Sequence, residues 1–163
     1  MNYAIPILLL IATIVAFFAV ARGCYSSFGI PQLLLRILVA IPLPVSAVLV
    51  HFMRPDVAAA IIPPAFPDHR FFVLFTGVCE IAGSIGLFVP ATRRHAAFWI
   101  AVMMVAIFPA NVYAAGKVID GLRLPGVPLR TAMQIVYILL ILLAGYGIPG
   151  RSPASRVSRS SSA

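Results

Sequence analysis

One acid interrupts an otherwise apolar stretch of this chain, Glu80 in FTGVCEIAGSIGLF (residues 75–88). A charge near the centre of a membrane span costs about 2.5–3.5 kcal/mol on insertion scales, so a carboxyl kept there points to a use inside the protein. His51, Thr76, Asn111, Arg130 and Gln134 also stand in or beside apolar runs. Glu80 and His51 are acid–base types, while Asn111, Gln134 and Arg130 carry hydrogen-bond donors. Together they suit a lipophilic molecule with carbonyl oxygens. A quinone is the expected ligand, since donors would hold its carbonyls and a titratable group would exchange protons. The competing reading is structural: the same groups would fix helix register, each interhelical bond contributing about 0.6 kcal/mol.

The elements that must position these residues follow from composition. Of 163 residues, 62% are hydrophobic and 10% charged, with a mean hydropathy of +1.06. Soluble domains carry about 25% charged residues, so this composition belongs in a bilayer. The net charge is +8, but the basic residues are scattered through short loops and helix ends, which excludes nucleic acid as a partner. Cys24 and Cys79 form no CxxC pair and lie at different depths, which excludes a dithiol relay. No metal motif, nucleophile elbow or phosphate loop occurs.

Apolar runs over 3–21, 33–53, 71–89, 96–115 and 129–148 approach the ~20 residues that cross a hydrocarbon core. The expected fold is all-α: one polytopic transmembrane helical bundle over residues 1–150. A basic, Ser/Arg-rich tail over 151–163 is expected to be disordered. Run 3–21 is read as a retained helix, with Ala19-Val20-Ala21 leaving a cleaved signal as the alternative. With all five runs spanning, seven arginines share one face and five Lys or Arg the other. This places the protein in the cell membrane with a cytoplasmic C-terminal tail.

Depth brings the chemistry together. Measured from the face carrying loop 51–70, His51, Thr76, Glu80, Asn111, Arg130 and Gln134 all fall in the same half of the bilayer. Thr76 and Glu80 are spaced i,i+4, as are Arg130 and Gln134, so each pair shares a helix face. Cys79/Gly83 and Ala82/Gly86 are small-xxx-small pairs that let helices approach closely, making run 71–89 the expected central helix. Pro42, Pro44 and Pro109 should free the carbonyls of Leu38, Ala40 and Val105. Pro55-Asp56 can open a short helix, and loop 51–70 is expected to rest on the membrane or lid the cluster.

Beyond these residue-level readings, the chain resembles the DoxX-like family of small bacterial membrane proteins over about 33–148. The resemblance is carried by His51-Phe52 with Pro55, Ile62-Pro63-Pro64, Gly77 to Glu80 with Gly83 and Gly86-Leu87, Pro90 with Thr92-Arg93-Arg94, and Phe108-Pro109-Ala110-Asn111. It implies a four-helix core, to which run 3–21 adds one N-terminal helix, and marks His51, Glu80 and Asn111 as family positions. It also implies association with redox-enzyme subunits, as in quinol-oxidase or thiosulfate:quinone systems, or a role in assembling another membrane protein. Three functions therefore stand as expectations. They are a quinone-type binding subunit, a structural or chaperone partner, and a small enzyme using Glu80 or His51 as acid–base. The expected partners are the lipid bilayer, redox subunits, a lipophilic small molecule and further copies of the chain.

Overall fold

Prolines and capping residues set where each helix starts and stops. The computed structural model describes residues 30–147; run 3–21, its cleavage motif and tail 151–163 lie outside the described residues. α1 (Ile30–Ala40) and α2 (Pro42–Ser46) continue into a π-helical turn, Ala47–Phe52, and together form one rod. α3 (Pro55–Ala59) is the short helix expected at Pro55-Asp56. α4 (His69–Phe88) begins at Asp68, whose side chain accepts a hydrogen bond from the Phe71 amide at 3.0 Å and closes the first turn. α5 (Arg93–Ala106) and α6 (Phe108–Ala114) follow one another across a 41° bend ahead of Pro109. α7 (Val127–Tyr146) carries Pro128 in its first turn, where the missing N–H is harmless.

Between α6 and α7, in the break between apolar runs, lies a β-hairpin, β1 (Val118–Ile119) with β2 (Leu122–Arg123). Its turn residues Asp120 and Gly121 have φ of 53° and 77°. Positive φ at both central positions is the type I′ turn, and Asp-Gly is its usual sequence. Arg54 pairs with Asp120 and so ties the start of the 54–68 loop to this hairpin.

The rods pack in sequence order around a shared core. The first rod packs on α4, α4 on α5, α5 on α7, and α7 back on α1. Val39, Leu43, Phe88, Ile100, Ile141 and Ala144 are buried at the centre. Residues Gln32–Phe52, α4 and α7 are each long and apolar enough to cross a membrane, and the bent pair α5–α6 makes a fourth if it counts as one span. These bounds agree with the expected runs to within three residues at most ends.

The small residues of α4 do what their spacing predicts. A β-carbon placed on Gly83 would lie 2.5 Å from Ile100, and one on Gly86 2.8 Å from Ala96, so α5 sits directly on this stripe. One proline-freed carbonyl is answered from α4. Pro44 leaves the Ala40 carbonyl without its amide partner, and the buried Ser84 hydroxyl donates to it at 2.6 Å. At the second bend the answered carbonyl is Met104, one residue before the expected Val105, because the chain already breaks at Ile107; Gln134 Nε2 donates to it at 2.7 Å. Ser84→Ala should therefore lower stability by about 1 kcal/mol, the loss of one buried bond. A lower unfolding midpoint in detergent with an unchanged helical spectrum is the expected reading.

Arg36, expected at a membrane face, lies inside the bundle. It is 2% exposed, and its Nε donates to the Ala144 carbonyl at 2.9 Å. Gln32 Nε2 joins it, 2.8 Å from the Leu143 carbonyl. Both satisfy the orphan carbonyls at the C-terminal end of α7, where a cation also meets the negative pole of the helix.

Candidate functional site

Glu80 is 5% exposed and faces protein, as the central-helix reading requires. Its partners differ from those expected. Sequence reasoning would have Glu80 bonded to Thr76, Asn111 and Gln134, or charge-paired with Arg130 or His51. Instead Ser46 Oγ bonds Glu80 Oε2 at 2.9 Å, and His51 Nε2 stands 4.0 Å from Oε1, close but beyond hydrogen-bond reach. Ser46 Oγ also lies 3.1 Å from the Leu43 carbonyl of its own rod.

The His51 ring is oriented by backbone. Nδ1 lies 2.9 Å from the Val73 carbonyl, which can only accept, so Nδ1 carries the proton and donates. Thr76 Oγ1 donates into the Phe72 and Val73 carbonyls at 2.8 and 3.0 Å and sits 3.2 Å from Nδ1. In the neutral ring this leaves the Nε2 lone pair turned toward Glu80. Gly77 makes room for the arrangement: a β-carbon there would lie 2.9 Å from His51 Cβ and 3.1 Å from Phe52. The π-helical turn carries His51 at this spot by inserting one residue into the last turn of the first rod.

The other three predicted residues form a second group. Asn111 Nδ2 donates to Gln134 Oε1 at 2.7 Å, and Arg130 donates to Asn111 Oδ1 at 2.7 Å. With Gln134 bonded onward to Met104, this chain stitches the α5–α6 bend to α7. The single cluster expected from depth is therefore two networks, Ser46–His51–Thr76–Glu80 and Asn111–Arg130–Gln134. Depth along a helix is readable from spacing, but the azimuth at which each side chain leaves it depends on the neighbours.

The two networks meet at one cavity of about 970 Å³. It runs between α4 and α5–α6, and His51, Thr76, Glu80 and Asn111 reach its wall near the 51–70 face. Ala58, Ile62 and Phe66 of the connecting loop also line it, so this loop covers the polar end. Cys79 lines the wall beside Glu80. The volume lies at the upper end of the 300–1,000 Å³ typical of small-molecule sites, and an apolar wall with a few convergent polar groups is their usual make-up.

No curated protein and no solved structure matches the sequence. Residues 39–144 match the profile of a domain of unknown function, DUF8561, a stretch that starts in the first rod and ends in α7, enclosing both networks and the cavity. The chain belongs to this DUF8561 family.

Proposed function

We propose that the chain is a multi-pass membrane protein, a bundle with four spans in residues 30–147, that binds a lipophilic small molecule with a quinone-type head as a subunit or binding module of a redox system. The observation that carries this reading is the cavity, an apolar space of about 970 Å³ with an acid, an imidazole and an amide at one end. Glu80 Oε1 and His51 Nε2, 4.0 Å apart, leave a gap that a ligand hydroxyl, such as that of the reduced quinol head, can bridge by donating to the Nε2 lone pair. The DoxX-like resemblance supports the same reading, since its carrier positions His51, Glu80 and Asn111 are those at the polar end. The cytoplasmic placement of the tail rests on charge. With Arg36 engaged inside the bundle, six basic residues on that face oppose five on the other.

A structural role has its own support in the second network. Asn111, Arg130 and Gln134 bond to one another and to a freed backbone carbonyl, which is what interhelical glue requires. Mass spectrometry of small molecules released from the purified, detergent-solubilised protein separates the two. The binding reading expects a lipophilic carbonyl compound at near-stoichiometric level. Recovery of only the bulk lipid and detergent would favour the structural one.

A further inference from the structure

The cavity continues well past its polar groups. On α4 its lining runs from Phe72 through Glu80 to Val89, and on α5–α6 from Asn111 back to His95. From Glu80 to Val89 that is about 13 Å of groove at ~1.5 Å per residue, too long for a ring held at Glu80. At its back Ile100 and Ala96 of α5 close onto Gly83 and Gly86, and beside that seam Ala82, Ile85 and Val89 line it. Its flank is open, for Phe75 and Trp99 line it yet are 53% and 63% exposed, and Ala82 is exposed between them.

From this shape we infer that the occupant is a single-chain amphiphile that enters sideways from the bilayer. Its polar head lies among Glu80, His51 and Asn111, and its hydrocarbon chain lies over Ala82 and Ile85 toward Val89 and Trp99. The inference rests on the binding reading and adds the class and orientation of the ligand. Lipid tails are as apolar as the groove, so the chain gains little by leaving them and its affinity contribution is small. The head selects and the groove directs.

Position is therefore the proper test. The probe is a decyl-substituted benzoquinone carrying a diazirine at the far end of its chain, photolysed with the full-length protein in nanodiscs and mapped by peptide mass spectrometry. Labels confined to Val89, Ala96 and Trp99, and competed by unlabelled decyl-benzoquinone, are expected. Ala82→Phe, at an exposed position that tolerates bulk, should cut that labelling at least about five-fold by filling the space the chain packs into. A probe with its diazirine beside the ring should still label Cys79 or Met103 in this variant. Competed labels on Ile61 and Phe66 would overturn the orientation while leaving the binding reading intact. Uncompeted labels spread equally over the outer face of α7, at Met133 and Leu139, would overturn both.

Discussion

Gly145→Ala should lower stability by about 3 kcal/mol, although glycine-to-alanine exchanges inside helices ordinarily stabilise by about 1 kcal/mol. Gly145 is buried near the end of α7, and a β-carbon there would collide with the Ala97 side chain and lie 3.0 Å from the Arg93 carbonyl oxygen. The second contact is backbone, so no rotamer change relieves it. The same corner holds the Leu143 and Ala144 carbonyls that receive Gln32 and Arg36, so a displaced α7 also loses its ties to α1. Ala97→Gly in the Gly145→Ala background should recover part of the loss by removing the facing methyl. Denaturant titration of the four proteins of this cycle in detergent is the measurement. A Gly145→Ala protein as stable as the parent would mean that α5 and α7 are not in contact there.

Gly145 also marks where sequence reasoning ran out. The stripe of Cys79, Ala82, Gly83 and Gly86 announced a close helix contact by its spacing, and α5 lies there. Nothing comparable surrounds Gly145, whose role depends on a neighbour 48 positions away in Ala97. Arg36 was read as a surface charge because charge in a helix near its end usually is one; only the meeting of α1 with the end of α7 buries it. The placement of Glu80 failed in an informative way. Thr76 and Glu80 do share a helix face, but Thr76 spends its hydroxyl on the preceding turn, and the carboxyl reaches Ser46 on the first rod. Likewise, the π-helical turn adds a residue ahead of His51, and one added residue rotates the remainder of the rod by about 100°. Helix limits and the central role of α4 were legible because they are local. Partners were not, because they are set by how the helices turn against one another.

The binding reading makes its sharpest demand on Glu80→Gln. The amide matches the carboxyl in shape, can still accept from Ser46 Oγ, and turns an NH2 toward the His51 Nε2 lone pair, so the helices have no reason to separate. The unfolding midpoint should stay within the effect of one ordinary hydrogen bond, about 1 kcal/mol. Ligand retention should not. A hydrogen bond to a charged or proton-exchanging group contributes about 1.5–3 kcal/mol, so decyl-benzoquinone should bind some ~10–150-fold more weakly. Asn111→Ala should show the reverse bias, since it removes a partner from both Arg130 and Gln134 and loosens the α6–α7 contact before it touches the ligand. Isothermal titration of parent, Glu80→Gln and Asn111→Ala in nanodiscs, with thermal unfolding of the same samples, compares the two quantities directly. If Glu80→Gln binds the quinone as the parent does and only its unfolding midpoint moves, the carboxyl is a fastener between α4 and the first rod, and the cavity serves something other than the ligand proposed for it.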